Sequence, residues 1–348
     1  MQRSLFEYHP VLGYRFIPGL KTRVPHEGGG YLVQVNGSGF RCRHEVTREK
    51  PQGTRRILLF GDSHTAGDGV SNGKRFGDVL ETLLPGSVQV LNFGLPGTGT
   101  DQQYLVWREF AAGIEHDLLL LVVQVENIQR VAAHYRYYSD EQGRRVLYAK
   151  PYFELAEGQL ALRQVPPPPA PIDPAELPGL DGSTVDKVAR YPTLSRLVRS
   201  LTRAEWAKKL LVSSGIKDRL QGAVRYQPVP HYSSPRNPAW LLLSAVLREW
   251  IQVHRGPALL VPLPFYHYVI GLSDARPYQA RFRELADTLD CAFFDPLPAL
   301  QAHDRETIRR MYFENDGHLT AEGHEAVAAV LAPAISAALG TQAPENGA

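Results

Sequence analysis

Five short runs of uninterrupted apolar residues punctuate this chain: Ile57 to Phe60, Val88 to Leu91, Leu118 to Val125, the stretch PALLVPLP from Pro257, and the shorter CAFFDP from Cys291. Between them the spacing of apolar positions changes to three and four residues. Phe76, Val79, Leu80 and Leu83 lie at that spacing before Pro85, and Leu243, Val246, Leu247, Trp250 and Ile251 form a second such face. Strand-sized apolar runs alternating with amphipathic helices predict a parallel sheet covered on both faces. Further helices are expected over about 101–111, 277–289 and 321–339. The expected architecture is a three-layer α/β/α sandwich around a five-stranded parallel sheet.

Two regions depart from this rhythm. Residues 1–54, rich in Gly, Pro, Tyr and Arg, predict an N-terminal arm of extra strands, with GYLVQVNGSGFRCR as a strand and Gly-rich turn. The α/β domain itself is placed at 55–340. It is interrupted by an insertion at 130–232, which holds a hairpin candidate YFELAEGQLAL turning at Glu157-Gly158 and then the extended PPPPAPIDPAELPG. Leu194, Leu197, Val198 and Leu201 mark an amphipathic helix beyond it. The insertion is read as a lid or a substrate- or partner-binding region, and the tail 341–348 as disordered.

Composition narrows the function. With 348 residues, 43% hydrophobic and 21% charged, the chain can bury a full core. A formal charge of +2 gives no reason to expect nucleic acid as a partner. Cys42 and Cys291 alone rule out a disulfide framework or a Cys-rich metal site and suit a reducing compartment. The start MQRSLFEYHPVLGYRF lacks the apolar core and cleavage site of a secretory signal, and no run approaches the ~20 residues of a membrane helix. A cytoplasmic protein without a transmembrane segment is expected. No His or carboxylate set recurs at ligand spacing, so no metal or cofactor is implied. A nucleotide-binding domain is disfavoured, because GTGTDQ lacks the G-x-G-x-x-G spacing and no phosphate-loop motif occurs. Oligomeric state is not legible.

Candidate chemistry gathers where strands end. In an open parallel sheet, ligands bind beyond the carboxyl ends of the strands. Ser63 follows the first strand in RILLFGDSHTAGDGV, Gly97 follows the second in NFGLPGTGT, and Asn127 follows the third. Two backbone N–H groups and a side-chain amide converging there describe an oxyanion hole. A serine needs a base, and two histidines compete. His64 adjoins Ser63, but neighbouring side chains point apart. His318, in NDGHLTAEGHEAVA, has Asp316 two residues before it, close enough to orient an imidazole. Taken alone, Asp316-Gly317-His318 is an ordinary turn. Asp62 is expected to hold the Ser63 turn through backbone N–H groups, Glu126 to face away or pair with an arginine, and His324 to sit on a helix surface. His64, Tyr266 and His267 are candidates for lining a substrate pocket, with capping or simple aromatic packing as the alternative.

The blocks GDSHTAGDGV, NFGLPG, VEN and DGHLTAEGH together resemble those of the SGNH, or GDSL-type, hydrolases, and LGYRFIPG and NGSGFR resemble segments that precede the first block in bacterial members. The resemblance spans residues 8–130 and 235–335. It implies a flavodoxin-like fold and a serine esterase acting through a seryl acyl-enzyme. Ser63 would be the nucleophile, His318 the base and Asp316 its orienting acid, with Ser63 N–H, Gly97 N–H and Asn127 Nδ2 as oxyanion donors. Two departures stand out. The third block, usually Gly-x-Asn-Asp, is Val125-Glu126-Asn127-Ile128, and the position three before the histidine, usually Asp, holds Asn315. The expected substrate is a small-molecule, glycan or lipid ester. An O-acyltransferase on the same site, as in relatives with the two-residue Asp-to-His spacing, and a binding protein that lost turnover are the alternatives.

Overall fold

The computed structural model describes residues 5–139, 145–173, 177, 185–186 and 227–340. The helix expected around Leu194 to Leu201 and the tail 341–348 lie outside them.

The arm supplies two antiparallel hairpins, β1 (Phe6–His9) with β2 (Gly13–Phe16) and β3 (Lys21–Val24) with β4 (Tyr31–Gln34). Leu12, Phe16, Val33 and Phe40 from this region join the same buried apolar cluster as the central strands. Chain order then runs β5 (Arg55–Phe60), α1 (Ser63–Ala66), α2 (Phe76–Leu83), β6 (Val88–Asn92), α3 (Thr100–Val106), β7 (Leu118–Gln124) and α4 (Ile128–Val131). A π-helical turn, Trp107–Ala111, extends α3 over the span the sequence predicted as one helix.

The insertion opens with β8 (Tyr135–Ser139) and β9 (Arg145–Ala149), followed by β10 (Tyr152–Ala156), β11 (Gln159–Arg163) and β12 (Val185–Asp186). β10 and β11 pair across Glu157 and Gly158, both at positive φ (53° and 80°), the backbone a two-residue hairpin turn requires. The α/β rhythm returns with α5 (Pro238–His254), β13 (Ala258–Leu263), α6 (Tyr266–Val269), α7 (Arg276–Leu289), β14 (Ala292–Phe293), α8 (Leu297–Gln301), α9 (Arg305–Arg310) and α10 (Ala321–Ala338).

Five of these strands form one parallel sheet in the order β14-β13-β7-β5-β6. Every residue of β7 and β13 is buried, as strands covered on both faces must be. Helix α2 packs with α10, while α3, α4 and α7 pack against α5. Right-handed crossovers put these two groups on opposite faces, which gives the expected three layers. Numbered within the sheet, the order is the flavodoxin-like 2-1-3-4-5, whose connections diverge between β5 and β7 and leave a crevice at their carboxyl ends. Ser63 lies just past the end of β5 and Asn127 just past the end of β7. No helix of the described residues is long and apolar enough to cross a membrane.

Candidate active site

The turn carrying Ser63 is held from three sides. Asp62 caps α1: one carboxylate oxygen accepts from the His64 N–H at 3.0 Å, and the other accepts from Arg130 Nη1 at 3.0 Å. Burial alone would raise the Asp62 pKa, but His64, Arg130 and the His64 amide outweigh it and hold the group ionised below its ordinary value. The loop after β6 docks on the same turn. Asn92 Nδ2 donates to Thr65 O at 2.8 Å, and Leu95 N donates to Gly61 O at 3.2 Å. Gly61 is obligatory, since a Cβ there would overlap the Thr65 side chain and crowd Val122 O at 3.0 Å.

His318 arrives from the turn between α9 and α10. Tyr312 bridges Leu319, and Phe313 N donates to His318 O at 2.8 Å, which projects the imidazole back over α1. The Ser63 hydroxyl and His318 Nε2 are 2.9 Å apart. Asp316 Oδ1 accepts the His318 backbone N–H at 2.9 Å, and Oδ2 stands 3.1 Å from His318 Nδ1. That second contact has ion-pair distance without hydrogen-bond alignment, so Nδ1 also counts among the side-chain nitrogens lacking an aligned partner. Asp316 thus holds the His318 turn through one oxygen and faces the imidazole with the other.

Electrostatics suit a base at His318. Desolvation lowers its pKa, but Asp316, Asp68 and Asp62 more than compensate and raise it above the ordinary value. For Asp316, burial acts upward and is overcome by His318 and His26, so the carboxyl is held well below the usual carboxylate range. His64 behaves in the opposite way. Burial, reinforced by His318 and Arg130 against Asp62, pushes it down to about 4, and its ring centre is 5.0 Å from that of His318.

Asn127 is fully buried, and neither its Nδ2 nor its Oδ1 has a partner among the described residues. Such orphans are costly in a folded protein and cluster at functional sites. Gly97 has φ of 80° and lies against Tyr14 and the Arg136 guanidinium from β8, so the insertion reaches this loop. Tyr14 fixes the loop by donating to Pro96 O at 2.6 Å. Tyr266 and His267 sit on α6 past β13. The Tyr266 ring packs edge-on to Tyr312 at 5.4 Å, next to the His318 turn, and His267 is buried beside Phe265.

One expectation is overturned. His324 is not on a helix surface but fully buried, where its Nδ1 accepts the Phe76 N–H at 3.2 Å and burial drives its pKa far down. It caps the start of α2, because Arg75 has no side-chain cap of its own to offer there. Sequence reasoning also missed His26, on the arm between β3 and β4, whose Nε2 is 2.9 Å from Asp316 Oδ2 across 290 residues. VPHEGGG carries no motif that would announce it.

No family model and no curated protein matches this chain. Among solved structures, it is similar to a member of the lipolytic protein G-D-S-L family from Veillonella parvula, at 12% identity over 80% of this chain and 96% of the other, with a TM-score of 0.40. It is also similar to Axe2, an acetylxylan esterase from Geobacillus stearothermophilus, at 12% identity over 84% and 97% of the two chains, with a TM-score of 0.42.

Proposed function

We propose that this chain is a serine esterase of the SGNH type that hydrolyses a carboxylic ester through an acyl-enzyme on Ser63. The observation that carries the reading is the 2.9 Å approach of the Ser63 hydroxyl to His318 Nε2, with Asp316 behind the imidazole. With the Nδ1 proton facing the carboxylate, Nε2 is the free lone pair that accepts the hydroxyl.

On attack, Ser63 Oγ bonds to the ester carbonyl carbon and its proton passes to His318 Nε2. Asp316 offsets the imidazolium charge without taking a proton. The carbonyl oxygen becomes an oxyanion, stabilised by the Ser63 and Gly97 N–H groups and Asn127 Nδ2. Collapse breaks the bond to the alkoxy oxygen, which leaves as the alcohol after receiving the proton from His318. Water then attacks the acyl-enzyme, giving a proton to His318, and the second collapse returns that proton to Ser63 Oγ and frees the acid.

The unpartnered Asn127 amide supports this division of labour, because it has no structural employment that the fold would lose. Hydrolysis of p-nitrophenyl acetate by the wild-type chain and by Ser63→Ala tests the reading. Turnover should depend on Ser63, with free acetate as the product. Turnover that persists in Ser63→Ala contradicts it, and acetyl transfer to an added alcohol in preference to water would replace hydrolysis by acyl transfer on the same site.

A further inference from the structure

The N-terminal arm reaches the candidate active site at one residue. His26 lies between β3 and β4, and its Nε2 is 2.9 Å from the same Asp316 oxygen that faces His318 Nδ1. Gly28 N–H points at His26 Nδ1 at 3.4 Å, which makes Nδ1 the acceptor and leaves the ring proton on Nε2, aimed at the carboxylate. The ring is wedged in place: Phe313 meets it edge-on at 4.4 Å, and a Cβ on Gly69, in the loop after Ser63, would come within 3.1 Å of its Cε1. Next to it, Glu27 accepts from Asn315 Nδ2 at 2.5 Å and from Asn315 N at 3.2 Å. The arm therefore grips Asn315 and Asp316 together.

We propose that His26 is a positioning residue for the esterase reaction, fixing the Asp316 carboxylate so that it can orient His318. This rests on the reading of Ser63, His318 and Asp316 given above. The need for it follows from the sequence. Asp316 stands only two residues before His318, its Oδ1 is turned back onto the His318 amide, and its side chain is 37% exposed. Without an outside donor, Oδ2 is free to rotate toward water and leave Nδ1 unsupported. A donor from the arm removes that freedom, and the arm thereby becomes part of the site.

The groups that face His318 are Asp316, Asp68, Asp62 and His64; those against His26 are Asp316, Phe313 and Tyr31. Losing His26 removes only the tether on Asp316, so the expected signature is confined to His318. In p-nitrophenyl acetate hydrolysis, His26→Ala should lower kcat roughly 10- to 100-fold, the scale of a small displacement of a catalytic group. KM should stay near wild type. The acid limb of the pH profile should move to lower pH, as His318 loses the carboxylate that raises its pKa. His26→Gln, whose amide can still donate, should recover most of the rate and the limb. Wild-type kcat and limb in His26→Ala, or a loss that follows the unfolded fraction with the limb unmoved and no rescue by Gln, would overturn the inference while Ser63→Ala still abolished turnover. Turnover surviving in Ser63→Ala would instead overturn the esterase reading, and this inference with it.

Discussion

Ser63 and His318 stand 255 residues apart in the chain and 2.9 Å apart in space, whereas the histidine next to the serine makes no hydrogen bond with it among the described contacts. The arrangement separates two roles that adjacency would merge. In the proposed mechanism His318 accepts the proton, whereas His64 is buried, pushed down to about 4 and neutral at physiological pH, with its Nδ1 lacking a hydrogen-bond partner among the described residues. His318→Gln should therefore abolish ester hydrolysis, while His64→Gln should leave it within about tenfold of wild type, the range of a packing change. Steady-state kinetics of the two variants check this, and equal losses would contradict it.

Asn127→Ala should separate function from stability. Its amide makes no hydrogen bond among the described residues although it is fully buried, so removing it should leave the melting temperature unchanged or slightly higher. Activity should nevertheless fall about 10²- to 10³-fold, the usual consequence of losing one oxyanion donor. Thermal unfolding and kcat measured on the same preparation decide the matter.

The pH dependence follows from His318. Only its neutral form can accept the Ser63 proton, and its pKa is raised, with burial opposing and Asp316 and Asp68 prevailing. Turnover should rise with pH and reach half its plateau above the ordinary histidine value of about 6.5. Asp316→Asn should shift that midpoint downward and lower the plateau.

Much of this was legible in the sequence because it is local. The five apolar runs became the five strands, and Gly61, Asp62 and Ser63 adopted the strand-to-helix turn their types imply. Glu157-Gly158 also turned its hairpin as expected. What escaped depends on long-range contact. His324 lies in a polar-looking stretch, yet it is buried because α10 packs on α2, whose first N–H it satisfies. His26 is brought to Asp316 by an arm whose docking no periodicity announces.

Arg130 supports the site from α4. Replacing it by Met leaves the Asp62 carboxylate buried without its cation, a change that typically costs about 3–5 kcal/mol. The Asp62 pKa is depressed in the folded chain, with burial outweighed by His64 and Arg130. The stability it contributes is thus present above its unfolded value of about 3.9 and lost as pH falls through the lower folded value. The gap in unfolding free energy between wild type and Arg130→Met should be widest near neutrality and narrow in acid. Chemical denaturation at several pH values measures it.

Covalent capture shows whether Ser63 is a nucleophile activated by His318. Incubation with a fluorophosphonate followed by intact-mass and peptide analysis should show a single adduct on Ser63. That adduct should be absent in Ser63→Ala and should form far more slowly in His318→Gln. An unmodified Ser63 in folded wild-type protein, or labelling at an unchanged rate without His318, would rule out a His318-activated Ser63 nucleophile.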